Sequence, residues 1–502
     1  MHLEPRRIAK PLSVAAGLVA VLATYALVAD HYRHGSMMAP DESFYTLASR
    51  LVYEGKLPYR DFAYSQTPLL PYINGALLHA VGFGMDAHRT INAVWGGLGL
   101  ALLIAAIRIR SGRWEPALVT GFVLAASPRW VSLQAMGVWC GPAGAFQAGA
   151  LLAALHPGSL RRRLLPFALC GTVAIGCRLS CAPTVAVLAL PLLLDAGSPR
   201  RAGLVLAACM GVGLALFAPF VAAAPERFWF NIWRYHVESG IERNFPAQAR
   251  QWWNISPAAN LLLATGLFGV PSLIRRRSRW ALVLLAAGLV GATVPMIPAS
   301  AWGVYVAAGV PLAAAAGVCA LWAAGKAEGN PHRHAILLLP GLALLTVTPP
   351  EVGEGVVTEV EEVAAFIEHE VPPGPLLTPV GIVAVESGRD VLPGTEMGTF
   401  AAMAPQDGAR AEKMLMTTLP ELTRRVRELE PAAVVRVIDP EPWIVWNFRW
   451  ALPSFDDQPL EHVRRFEDAL AETYRPVWRN TTLEVLVPRG RPVRPAREPN
   501  PR

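Results

Sequence analysis

Charge is scarce in this chain. Aspartate, glutamate, lysine and arginine make up 17% of its 502 residues, where soluble domains run near about a quarter. Hydrophobic residues make up 53%, and they come in long blocks rather than at amphipathic spacing. Both observations argue against a single soluble globule and against a disordered chain. Cysteine is sparse as well. Cys140, Cys170, Cys177, Cys181, Cys209 and Cys319 all fall inside apolar blocks, as small buried hydrophobes do, and they imply no disulfide framework. Cys177 and Cys181 share a helix face, but no histidine cluster accompanies them, which argues against a metal site there. The region from about Glu351 has no glycine-rich phosphate loop and no nucleophile motif, and the chain has no internal repeat of clear period.

What is present is a series of apolar runs long enough to cross a bilayer. They cover 11–29, 88–107, 114–132, 138–156, 164–177, 179–195, 202–224, 256–274, 280–297, 303–324 and 335–350, eleven expected spans. The first follows Arg6, Arg7 and Lys10. It is long for a signal peptide and lacks a clear small-residue cleavage site, so it reads as an uncleaved span. The fold class is therefore a polytopic α-helical membrane protein. From about Glu351 the pattern turns soluble: helical stretches at 359–370, 411–430 and 460–473 alternate with apolar runs at 376–380, 432–438 and 483–487. That alternation predicts a small α/β domain over 351–487, after a membrane module at 1–350 and before a Pro- and Arg-rich tail at 488–502.

The formal net charge of +7 does not form one patch, which argues against nucleic acid as a partner. The basic residues sit in short clusters between the apolar runs. With the N-terminus placed inside, Arg108/Arg110/Arg113, Arg161–Arg163, Arg200/Arg201, Arg275–Arg279 and Lys326/Arg333 all fall inside. The loops 30–87 and 225–255 and the C-terminal domain then lie outside. The run from Thr67 to Gly82 breaks this parity if it spans, so it is read as an interfacial helix. Segment 41–54 is a second surface helix: Phe44, Leu47, Ala48, Leu51 and Val52 form one stripe, Asp41 and Glu42 lie in the first turn after Pro40, and Gly55 ends it.

The first outer loop is crowded with chemistry. It reads Pro40-Asp41-Glu42-Ser43-Phe44-Tyr45, then Gly55-Lys56-Leu57-Pro58-Tyr59-Arg60-Asp61-Phe62, then Gln66-Thr67-Pro68-Leu69-Leu70-Pro71-Tyr72, and Arg89 enters the second span. Over residues 35–110 this pattern resembles the GT-C glycosyltransferases. The likeness is to the protein O-mannosyltransferase and aminoarabinose transferase superfamily, in its bacterial family 39-like form. The span pattern and the soluble outer domain extend the likeness along the chain. The stretch Ser65-Gln66-Thr67-Pro68 departs from relatives that carry a charged residue before this proline motif.

The resemblance implies a glycosyltransferase in the plasma membrane. Its donor would be a polyprenyl-phosphate sugar, and its acceptor a hydroxyl on a glycan, lipid or protein at the outer face. Asp41 matches the family's first-loop acid, the expected general base, with Glu42 as its neighbour and backup. Tyr45, Arg60, Asp61, Gln66, Arg89, Arg178, Tyr235 and His236 are the candidate donor- and substrate-binding residues. Read without the family, several have plainer roles. Asp41 is also a favourable acid at a helix's positive end, and Asp61 a turn partner of Arg60. Arg178 and Arg129 are also interfacial arginines, and His236 an exposed loop histidine. No cofactor is indicated. A divalent metal would have Asp41 and Glu42 within reach but no clear ligand set. The aromatics of 225–255 suit an interfacial belt, yet the charges among them, Arg234, Glu238, Glu242 and Arg243, do not. A transporter or flippase is the alternative, but such proteins place polar groups at the bilayer midplane, and these spans are nearly free of acids. A non-catalytic anchoring protein leaves the first loop unexplained.

Overall fold

A computed structural model describes residues 5–35, 40–238, 249–250, 253–275, 277–297, 303–324, 356–403, 405–438 and 460–492. The expected span at 335–350, the end of the tail, and Glu242 and Arg243 lie outside the described residues.

Each of the other ten expected spans is helical. In chain order the helices are α1 Pro5–Gly35, α2 Pro40–Tyr53, α3 Leu69–Val81, α4 Met85–Ser111, α5 Glu115–Ala125, α6 Pro128–Ala135, α7 Cys140–Leu155, α8 Leu160–Cys177, α9 Ala182–Asp195 and α10 Pro199–Ala223. There follow α11 Pro225–Trp229, a π-helical turn Phe230–Arg234, α12 Tyr235–Glu238, α13 Pro257–Leu267, α14 Val270–Arg275, α15 Arg279–Thr293 and α16 Val310–Ala324. Four stretches are long and apolar enough to cross a membrane unaided: Ser13–His34, Met85–Ser111, Pro199–Ala223 and Arg279–Met296. The expected span 114–132 is broken, because Ser127 leaves the helix before Pro128, as a residue preceding proline is pushed to do. Its second half, α6, then bends by 104° into α7.

The bundle closes on small residues. A Cβ on Gly141 would stand 2.6 Å from the Asn92 carbonyl, and one on Gly99 3.1 Å from the Ala145 Cα. α4 and α7 thus touch backbone to backbone, the close approach that small residues permit between membrane helices.

Helix direction sorts the charges. α4 runs from Met85 to Arg108 and Arg110, α8 from Arg161–Arg163 to Arg178, α10 from Arg200/Arg201 to Ala223, and α15 from Arg279 towards Met296. Arg163 also donates to Asp195 at 2.6 Å, tying the start of α8 to the end of α9. The described basic clusters between the spans therefore sit at one end of the bundle, and Met85, Cys140, Arg178 and Ala223 at the other.

The C-terminal domain is α/β, as its sequence predicts. Its helices are α17 Val356–Glu370, α18 Gly381–Glu386, α19 Gly408–Lys413, α20 Leu419–Arg427 and α21 Leu460–Thr473. Strands β1 Leu376–Leu377, β4 Ala433–Val437, β5 Tyr474–Arg479 and β6 Leu483–Pro488 form one sheet in the order β1-β4-β6-β5. β1 and β4 are parallel and the other pairs antiparallel, with Val434 opposite Leu486. A two-stranded ladder joins β2 Ala402–Met403 to β3 Thr417–Thr418. Leu422, Val426, Phe466 and Leu470 of α20 and α21 pack on Val434 and Leu486. The expected helix 411–430 is interrupted where Leu415 turns to φ +60° and β3 begins.

Candidate functional site

α2 carries the site because each of its faces meets a different element. Pro40 starts it, Asp41 and Glu42 occupy its first turn, and Gly55 at φ +86° follows it, a conformation open to glycine. Residues four apart share a face and neighbours are turned by about 100°. Asp41 and Tyr45 thus lie on one face, and Glu42 and Thr46 on the next. Ser43 and Leu47 form a third.

The Asp41 face looks onto Arg178, the residue that ends α8 in extended backbone. Arg178 is buried. Its guanidinium donates to the Tyr45 hydroxyl at 3.0 Å and stacks over the Tyr305 and Trp139 rings at 4.3 and 5.2 Å. It is thus a desolvated cation between aromatic faces. Two further donors close the group: the Tyr64 hydroxyl and the Trp139 Nε1 are buried and, among the described residues, without a hydrogen-bond partner. Asp41 is half-buried. Among the described residues no hydrogen bond or ion pair engages its carboxylate. Burial pushes the Asp41 pKa up, and the charge of Arg178 pulls partly against it.

The segment after α10 supplies the other wall. The Tyr235 hydroxyl donates to the Phe400 carbonyl at 3.1 Å, and His236 Nε2–H donates to the Ser65 carbonyl at 2.7 Å. Burial, helped by nearby Arg178, lowers the His236 pKa to about 4, so the ring is neutral at physiological pH. Asp41, Tyr45, Arg178, Tyr235 and His236, spread over nearly two hundred residues of sequence, are thus brought to one place.

Glu42 is not. It is fully buried and paired with Arg89: Nε to Oε1 at 2.7 Å and Nη2 to Oε2 at 2.9 Å. The Gly137 backbone N–H adds a third donor to Oε1 at 2.7 Å. The expectation of Glu42 as a second base is corrected, since a fully buried carboxylate held by a bidentate arginine and a backbone donor is committed to that pair and closed off from a substrate. The same pairing removes Arg89 from the donor-binding set, and it turns Glu42 away from any metal that Asp41 could share. Arg60 and Asp61 pair with each other on the surface at 2.7 Å, and Asp61 also accepts from the Leu57 N–H at 2.7 Å. They form a turn clasp. The Gln66 carbonyl accepts from the Tyr59 hydroxyl at 2.5 Å, so its backbone has a structural part. Arg129 lies near Tyr32, at the end of α1. Among the described residues no three histidine, cysteine or acidic side chains gather as a metal site.

Sequence reading missed Tyr64, Trp139 and Tyr305. Each is an aromatic near a span end, and that position alone does not separate a site wall from an interfacial anchor.

No family model matches this sequence, and no curated protein does. Solved structures are similar over nearly the whole chain. The structure of ArnT from Cupriavidus metallidurans bound to undecaprenyl phosphate is 15% identical, with a TM-score of 0.63 over 94% of this chain and 97% of that one. The same protein in the apo state is 15% identical, with a TM-score of 0.62 over 94% and 98% of the two chains. ArnT, an aminoarabinose transferase, belongs to the GT-C superfamily, whose members are polytopic membrane proteins. At this identity the likeness speaks for architecture alone: this chain shares the fold of the ArnT structures.

Proposed function

We propose that the chain is a membrane glycosyltransferase that moves a sugar from a polyprenyl phosphate to an acceptor hydroxyl at the outer face of the plasma membrane. The observation that carries this reading is Asp41 facing Arg178: an acid with no hydrogen-bond or ion-pair partner among the described residues and a desolvated cation, walled by tyrosines. The fold shared with a protein seen bound to undecaprenyl phosphate supports it.

In this reading Arg178, with the Tyr45 and Tyr64 hydroxyls and Trp139 Nε1–H, faces the lipid phosphate. Asp41 takes the proton of the acceptor hydroxyl. The acceptor oxygen bonds to the anomeric carbon as the carbon–oxygen bond to the phosphate breaks. The electron pair leaves with the polyprenyl phosphate, where the guanidinium offsets the developing charge. A single base and direct displacement give inversion at the sugar. Positioned general-base catalysis contributes on the order of 10²–10⁴-fold. Neutral His236 holds the second loop onto Ser65 and keeps a second positive charge away from Arg178. The described basic clusters between the spans lie at the end away from Asp41, which supports an outward-facing site.

The test is a panel of radiolabelled polyprenyl-phosphate sugars with protein in lipid and membrane extract as acceptor. Wild type is expected to release polyprenyl phosphate, and folded Asp41→Asn to lose that release. A wild type that consumes no donor refutes the reading. A folded Asp41→Asn with full turnover removes Asp41 as the base.

A further inference from the structure

His88 is a fully buried histidine that the mechanism above does not use. It sits one turn into α4, and both of its ring nitrogens are engaged. Nε2 lies 2.8 Å from Asn74 Nδ2 on α3, and Nδ1 lies 2.5 Å from Thr46 Oγ1 on α2. Thr46 Oγ1 is also 2.8 Å from the Glu42 carbonyl.

Donor chemistry gives this chain one direction. An amide nitrogen only donates, so Nε2 accepts from Asn74. A neutral ring then carries its proton on Nδ1 and donates to Thr46 Oγ1. The Thr46 hydroxyl, with its oxygen accepting, spends its own proton on the Glu42 carbonyl, a bare acceptor. The relay therefore ends on the first turn of α2, one residue from Asp41. Space around it is closed: a Cβ on Gly137 would stand 2.9 Å from His88 Nδ1.

We infer that His88, through Thr46, is a positioning residue for Asp41, setting the roll of α2 about its axis. The inference rests on the reading of Asp41 as the base. The Glu42–Arg89 pair holds the same face at one point. A second, separate tether at Thr46 is what prevents rotation about that point, and a rotation of α2 would swing Asp41 away from the acceptor oxygen. His88 touches neither Asp41 nor Arg178 in this arrangement, so its loss is expected to leave donor binding intact and to slow the chemical step. Misplacing a reacting group by about 1 Å costs on the order of 10²-fold.

The variants are Thr46→Val, which keeps shape and deletes the hydroxyl, Thr46→Ser, which restores it, and His88→Ala. Each is assayed in lipid with a polyprenyl-phosphate sugar that wild type consumes. If wild type consumes none, the function reading fails before this one is reached. Expected are a fall in kcat of roughly ten- to a hundredfold for Thr46→Val and His88→Ala, near-wild-type kcat for Thr46→Ser, and unchanged equilibrium binding of the same donor. Full kcat in folded Thr46→Val overturns the inference, and so does a matching loss of donor binding. A measurement on wild type covers variants that fail to fold: ¹⁵N spectra of histidine-labelled protein should show a neutral, Nδ1-protonated His88. A ring protonated at Nε2 overturns the relay.

Discussion

Asp41 and Glu42 are neighbours in sequence with opposite roles in the structure, and substitution separates them. Burial holds the folded pKa of Asp41 above its unfolded value. Between those two values the folded chain binds more protons than the unfolded one, so stability falls as pH rises through that window. Asp41→Asn removes this cost. The variant is expected to melt higher than wild type at pH 7.5, with the gap closing as pH falls into the ordinary carboxylate range, while turnover drops by about 10²–10⁴-fold. Equal melting of the two proteins at both pH values would mean a well-solvated carboxylate. The acid limb of the wild-type rate profile should lie above the usual carboxylate range for the same reason. Glu42→Gln acts the other way. It leaves the fully buried Arg89 without its counter-ion, and breaking such a pair costs about 3–5 kcal/mol. Thermal unfolding in detergent should show that loss, and a variant that melts like wild type would remove Glu42 from the scaffold.

α2 shows what was legible in the sequence and what was not. Its limits were readable from Pro40, the two acids and Gly55, and its apolar stripe from the spacing of Phe44, Leu47, Ala48 and Leu51. Which polar face would meet Arg89 and which Arg178 was not readable, because a turn of about 100° between neighbours decides it and the partners lie on α4 and α8. The gathering of Asp41, Tyr45, Arg178, Tyr235 and His236 was likewise a matter of tertiary packing. Two other misreadings have local causes. Hydropathy carries straight through Ser127-Pro128, although the backbone does not. β5 escaped notice because Arg475, Pro476 and Arg479 break its apolar alternation, which an edge strand paired only with β6 tolerates. The α6–α7 bend has a function of its own, since it delivers the Gly137 N–H to Glu42. A Cβ at Gly137 would stand 2.9 Å from Glu42 Cγ and 3.0 Å from its Oε1, and those atoms are pinned. Gly137→Ala is therefore expected to cost about 1–3 kcal/mol as overpacking and to lower turnover by shifting α2. Unchanged melting and turnover would mean that the bend yields freely.

At the scale of the whole molecule, the C-terminal domain and α2 form one assembly at one end of the bundle. Arg50 of α2 donates to the carbonyls of Ala384 and Arg389 at 3.1 and 2.7 Å. Glu386 accepts from the Met85 N–H, at the first residue of α4, at 2.7 Å, and the Ile382 N–H donates to Ser43 Oγ at 3.3 Å. Arg227 reaches both sides, donating to the Lys413 carbonyl at 2.6 Å and to that of Arg60 at 3.2 Å. The domain therefore shares an end of the bundle with Asp41, and the described arginine clusters between the spans lie at the other. Basic residues are retained on the cytoplasmic side, so both the domain and the site should face outward. Alkaline phosphatase needs its disulfides and is active only after export, whereas green fluorescent protein joined to such fusions glows only inside. Phosphatase fused after residue 492 should be active, and phosphatase fused after Ser111 or Ser198 inactive, with fluorescence reversed at all three points. The opposite pattern would turn the pocket to the cytoplasm, put Asp41 on the side where nucleotide-activated sugars are available, and remove the reason for a lipid-carried donor. Activity at residue 492 together with activity at Ser111 would instead break the alternation of spans between α4 and the domain. The agreement of three fusion points is therefore a sharper test of the architecture than any one of them.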